Sequence, residues 1–181
     1  MKRSSIKEEI GQKKPFRSIR QEGAVALLRT TDAIRRHFTA VLAPFDLTLQ
    51  QFNVLRILRG AGQPGLPTME IGRRMLEQTP GITRLIDRLV ERGWASRETD
   101  SSDRRQVVCR ITPLGLAAID RTDDAVNAAD ADALRGLNDK EVRELLRLLD
   151  AIRAAHSTDG LVRKTRDRNA REGAGEAPGR T

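Results

Sequence analysis

Two stretches of the chain carry side chains that could act on a polyanion. In "TPGITRLIDR", Thr79, Gly81, Thr83, Arg84, Asp87 and Arg88 interleave with Ile82, Leu85, Ile86 and Leu89 at helical spacing. In "DSSDRRQVVCRITPLG", Asp103, Arg104 and Arg105 occupy a charged turn that runs into a β-branched stretch. A guanidinium can make a bidentate pair with the edge of guanine in a major groove, and it is drawn to the negative potential of a narrow A·T-rich minor groove. Asp103 can accept from turn amides or pair with a neighbouring arginine, which stiffens the tip while Arg104 or Arg105 reaches out. An amphipathic surface helix and a solvated loop would have the same composition, so the flanking elements must decide.

Those elements read as helices up to residue 90. Ala24, Leu27, Leu28, Ile34, Phe38, Val41 and Leu42 recur every three or four residues and predict a helix from Ile19 that ends before Pro44. A second helix starts at "TLQQF", where Thr48 and Gln51 can form a capping box, and Phe52, Leu55 and Leu58 face inward. "RGAGQPGLP" breaks the chain. Thr68 is placed to cap a short helix containing Ile71, Met75 and Leu76, and Thr79-Pro80 opens the next, with proline at its first position. Two short helices about three residues apart, with small Gly72 at the crossing, fit a helix-turn-helix. Ile82, Leu85, Ile86 and Leu89 form the back of its second helix, leaving the short polar groups and arginines in front.

The next segment favours DNA as the target. "GWASRET" and "RQVVCRIT" are strand candidates joined by turn chemistry, and a hairpin directly after a helix-turn-helix is a wing. After Pro113 a long helix carries Leu114, Leu116, Ile119 and Val126, and "NDKE" begins a last helix with Val142, Leu145, Leu146, Leu148, Leu149 and Ile152. This leucine stripe is wider than a small winged core and the first helix would cover. Pairing the first and last helices across a two-fold axis would bury it and set two recognition helices roughly 34 Å apart, one DNA turn. A self-contained helical core is the alternative.

Charge is unevenly spread. The chain carries a net +8, with +5 in residues 1–20 and +2 in residues 157–181, so residues 21–156 are nearly neutral. Within them, 73–110 carries +3 and 111–156 carries −3, which suggests one directed basic face instead of a general polyanion coat. The Gly-, Arg- and Glu-rich tail after residue 156 has too few apolar residues to offset ordering entropy and is expected to be disordered. In the N-terminal arm, Ile6, Ile10, Phe16 and Ile19 have the character to pack on something, a partner subunit included.

Catalytic and metal chemistry find little material. There are two histidines, His37 and His156, far apart in sequence, one cysteine, Cys109, and no tyrosine, so neither a nucleophile–base pair nor a zinc cluster can be assembled. "GAGQPG" lacks the lysine-serine ending and preceding strand of a phosphate loop. The reading is of a non-enzyme without cofactor. No stretch is long and apolar enough to span a membrane and "MKRSSIKEEI" leads into no signal-peptide core, so the expected location is cytoplasmic. A non-catalytic winged helix that docks proteins, or an architectural DNA-binding protein, is the rival reading. Cys109 is expected to be a small apolar filler.

From Ile19 to Ala155 the chain resembles the MarR family of bacterial winged helix-turn-helix regulators. The resemblance is most specific in "ITRLIDRLVERGWASRETDSSDRRQVVCRITPLG", where recognition helix, Gly93, the Asp103-Arg104-Arg105 wing and the Thr112-Pro113-Leu114-Gly115 re-entry follow the family's order and spacing. It implies a mainly α fold with a small β-wing, and a homodimeric, sequence-specific regulator of transcription. Such regulators are commonly repressors released by a small aromatic or anionic ligand. The double-stranded DNA contacts would fall on Thr79, Gly81, Thr83, Arg84, Arg88, Asp103, Arg104 and Arg105. A ligand pocket would lie between the dimer helices and the DNA-binding lobe, where Arg36, His37 and Arg56 could pair with a carboxylate or phenolate. The relatives that sense hydroperoxides use a first-helix cysteine, which this chain lacks. The expected organisation is a basic arm over 1–18, a MarR-like domain over 19–155 and a tail over 156–181. Within the domain the winged helix-turn-helix spans about 46–111 and the dimerisation helices about 19–43 and 113–155.

Overall fold

The structure is a computed structural model that describes residues 5–77, 80–99 and 107–156. The chain divides into two compact units, residues 1–133 and 134–181. In the first, Ser5 and Glu8 form a capping box that starts helix α1 (Ile6–Glu9), and Glu9 accepts a 2.8 Å hydrogen bond from Arg29. The arm thus lies on α2 (Ile19–Leu42) of its own chain, whose start is capped by the Ser18 hydroxyl. A 3-10 turn at Ala43–Phe45 reverses the chain into α3 (Leu49–Ala61), which opens with the Thr48–Gln51 capping box that the sequence predicts.

Around α3 the core assembles. Phe52, Val54, Leu55 and Leu58 meet Leu42, Ile71 of α4 (Thr68–Arg74), Ile86 and Leu89 of α5 (Ile82–Glu91), and Ile119 of α6 (Pro113–Asp120), all buried. Three antiparallel strands, β1 (Leu66–Pro67), β2 (Ala95–Thr99) and β3 (Val107–Ile111), form a sheet in the order β1-β3-β2. The sequence anticipates β2 and β3 but reads the segment containing β1 only as a break; two residues are too few for a periodic signal.

The Thr112-Gly115 re-entry has a steric cause. Thr112 caps α6 by accepting from the Gly115 amide at 3.0 Å, while its own hydroxyl donates to the Gly93 carbonyl at 2.6 Å. This draws the helix so close to the preceding turn that a Cβ on Gly115 would sit 2.0 Å from the Trp94 carbonyl oxygen. Only glycine fits there without moving backbone.

Four local expectations are corrected. Thr68 does not cap α4: the N-cap is Pro67, and the Thr68 hydroxyl lies 3.6 Å from the Cys109 sulfur, a fully buried contact partner on β3. That helix ends at Arg74, so Met75 and Leu76 belong to the turn after it. Pro80 lies outside α5, whose N-cap is Gly81. The long helix expected after Pro113 is two, α6 and α7 (Asp123–Ala133), broken at Arg121-Thr122. Across the break, Arg59 of α3 reaches Asp120 at 3.1 Å and Asp123 at 3.0 Å, while buried Thr122 donates to the Ile119 carbonyl at 2.6 Å. Hydrogen bonding to Asp123, and less so to Asp120, holds the Arg59 guanidinium above its ordinary pKa.

In the second unit, Asn138 and Glu141 form the anticipated capping box and start α8 (Asp139–His156). None of its residues is buried, and Leu146, Leu148 and Ile152 are 52%, 46% and 45% exposed. No helix among the described residues is long and apolar enough to cross a membrane.

Candidate nucleic-acid interface

Helices α4 and α5 form the helix-turn-helix. Gly72 faces Ile82 across their junction, where an added Cβ would stand 3.9 Å away, an ordinary contact. The turn is fixed from below by Asn53 of α3, whose buried side-chain oxygen accepts from the Leu76 amide at 2.9 Å. Asn53 is absent from the candidates read from sequence, although a lone amide between Phe52 and Val54 on an inward face was a signal. From the side, Arg35 of α2 pairs with Glu77 at 3.0 Å.

Gly81 at the start of α5 has φ +88°, a left-handed conformation that glycine adopts without penalty. Among the described residues no side chain caps this end. Ile86 and Leu89 are fully buried and Ile82 and Leu85 half-buried, which leaves Thr83, Arg84 and Arg88 exposed on one face. Among the described residues, neither arginine makes an ion pair. The far end of α5 is anchored: Arg92 donates to the Asp46 carbonyl at 2.8 Å and its carboxylate at 2.6 Å, and lies 3.6 Å over the Trp94 ring.

Beside this helix stands the stem of the hairpin. β2 and β3 are in register from Ala95↔Ile111 to Thr99↔Val107. The expected contacts Thr79, Asp103, Arg104 and Arg105 lie outside the described residues. On α4, Arg73 and Arg74 share the Glu70 carboxylate, Arg74 at 2.8 Å and Arg73 at 3.8 Å, so Arg73 is the more loosely held. Neither was singled out from sequence, because α4 read only as a support.

The three expected ligand residues are not brought together. A cleft of about 370 Å³ opens between α2, α3, the turn after α4 and Asp130 of α7, and of the three only Arg56 lines it. Arg36 turns to Asp32 on its own helix, and His37 lies 3.7 Å from Asp132. Arg35 takes the place expected of Arg36, one residue and about 100° round the helix. Ile34, Phe38, Leu49 and Phe52 supply the apolar wall, with the Arg56 guanidinium 5.7 Å from the Phe52 ring centroid.

Comparison with known proteins fits this geometry. The MarR family profile matches residues 45–106, which include α3, the helix-turn-helix and β2. An HTH-type transcriptional repressor of Mycobacterium tuberculosis is 30% identical over 126 residues, covering 70% of this chain and 89% of the repressor. The chain belongs to the MarR family. It is therefore a transcriptional regulator of MarR type, with a winged helix fold. A MarR transcription factor from Planctomyces limnophilus is 35% identical, with a TM-score of 0.58 over 76% of this chain and 99% of that one. A mutant E. coli MarR solved with operator DNA is 26% identical, with a TM-score of 0.65 over 70% of this chain and 90% of its own.

Proposed function

We propose that this MarR-type regulator is a homodimeric repressor that binds an inverted-repeat operator and is released by a small aromatic or anionic ligand. The observation that carries the DNA reading is the face of α5: Thr83, Arg84 and Arg88 exposed over a buried apolar back and beside a wing stem. Thr83 and Arg84 take the base edges, and Arg88 a base or phosphate. Gly81 lies at the same end, and the sequence reading adds Thr79, with Asp103, Arg104 and Arg105 as contacts to the adjacent minor groove. Arg73 adds a phosphate contact from α4. The operator complex of the E. coli relative supports the same mode of docking here.

Dimerisation is supported by α8, an amphipathic helix without one buried residue in a single chain. Covering its leucines with a second copy removes apolar surface from water and supplies the second recognition helix that an inverted repeat requires. For the ligand, the cleft beside Arg35 and Arg56 combines aromatic walls with cationic side chains, which suits a ring bearing a carboxylate or phenolate. Its floor includes the turn after α4, so a bound ligand acts on DNA affinity by preferring one placement of the helix-turn-helix.

The deciding experiment is selection of genomic fragments by the purified full-length protein at near-physiological salt. Enriched inverted repeats with half-sites about one helical turn apart support the reading. Enrichment without a common sequence replaces it with an architectural role, and no enrichment replaces it with protein docking. On the enriched site, Arg84→Ala is expected to cost about 1–3 kcal/mol while sparing weak nonspecific binding. An equal loss on every sequence reassigns Arg84 to a phosphate.

A further inference from the structure

We propose that Arg97 is a positioning residue for DNA binding: its ion pair with Asp87 masks a carboxylate on the recognition helix and sets where the wing stands relative to that helix. The inference rests on the DNA reading above and concerns two residues to which that reading gives no role.

Asp87 is a liability where it stands. It follows Thr83 by one helical turn and adjoins Arg88, so it shares the side of α5 offered to DNA, and an unpaired carboxylate there would repel phosphates. The structure pairs it with Arg97 of β2 in a hydrogen-bonded ion pair that leaves Arg97 29% and Asp87 43% exposed.

Arg97 reaches Asp87 from an unusual position. In the register of the hairpin it stands opposite Cys109, which is fully buried, and by strand alternation it shares a face with Ala95, which is 3% exposed. The arginine therefore leaves the inner face of the sheet, where a cation without a partner would be costly. The outer face of the same stem has its own tie: Glu98 pairs with Arg110 at 2.7 Å, and Arg110 donates to the Gln63 carbonyl at 2.8 Å. That outer tie fastens the hairpin to the loop before β1, and the inner one fastens it to the recognition helix. With both in place the stem of the hairpin has one attitude relative to α5 and Arg84.

The test separates positioning from simple charge. Full-length wild type, D87N, R97Q, R97K and the D87N/R97Q double variant are compared for affinity to the fragment that wild type selects, and for amide exchange of residues 107–111 in the free proteins. D87N makes the DNA face more basic, so charge alone predicts tighter binding; the proposal predicts a loss on the order of tenfold for D87N and R97Q alike. The double variant is no weaker than the weaker single one, R97K retains most of the affinity, and exchange rises in D87N and R97Q but not in R97K. Unchanged or tighter binding by D87N overturns the proposal, as do losses that add independently, which would make Arg97 a direct phosphate contact. Faster exchange without loss of affinity also overturns it. If wild type selects no common site, both this proposal and the DNA reading fall, whereas an outcome confined to the variants leaves the DNA reading standing.

Discussion

Helices α3 and α8 begin with the same chemistry. In each, a polar N-cap side chain accepts from the amide three residues on, and the side chain there reaches back to the N-cap amide: Thr48 with Gln51, and Asn138 with Glu141. Each then carries an apolar stripe, yet α3 buries six residues and α8 none. Capping is satisfied within one helical turn, so it works equally well in either place. Burial needs something to lie against, and for α8 the proposed cover is a second copy of the chain.

The contrast between the two helices is largest in the core. Leu55→Ala removes a fully buried side chain at the centre of α3 and is expected to cost about 2–5 kcal/mol in denaturant unfolding. An equally large loss for Leu148→Ala, measured on a dilute monomeric sample, would contradict the contrast. In the proposed dimer Leu148 matters differently: burying it contributes about 1.5–3 kcal/mol, so Leu148→Glu should shift sedimentation equilibrium strongly toward monomer while α-helical circular dichroism persists. A dimer as tight as wild type would remove Leu148 from the interface.

Smaller changes test the shared feature. Thr48→Ala and Asn138→Ala should each cost about 1 kcal/mol, the first in global unfolding and the second in amide exchange at the start of α8. Unequal losses would mean that burial, not only the cap, holds one of the two ends. The smallest effect is a titration. A hydrogen bond from Arg147, reinforced by its charge, holds the exposed Glu144 carboxyl of α8 below its ordinary pKa. A depressed pKa in the folded state means that the pair stabilises α8 above the unfolded carboxylate's pKa and that this fades as pH falls through the folded value. The Glu144 carbon resonance should titrate at lower pH in wild type than in Arg147→Gln.

What the sequence could reveal tracks the range of the interactions involved. Cap boxes, the apolar back of α5, the strands either side of the wing turn and the Thr112–Gly115 re-entry depend on residues a few places apart, and all were legible. So was the exposed arginine face, because burial of Ile86 and Leu89 dictates by periodicity what remains outside. The residues that line the cleft were less legible, since Arg35, Arg36 and His37 are consecutive and choosing among them requires knowing which side of α2 faces α3. Asp87 and Arg97 each looked like ordinary charge until strand register placed the arginine on the inner face of the sheet.

By itself, then, the sequence determined the helical periodicities, both capping boxes, the Thr112–Gly115 re-entry and the placement of arginine on the outer face of α5. Tertiary structure decided that Thr68 turns to Cys109 instead of capping α4, that the helix after Pro113 breaks where Arg59 spans Asp120 and Asp123, and that Leu66-Pro67 pairs with β3. Each of these depends on a partner dozens of residues away along the chain, whose position exists only once the core around α3 has formed.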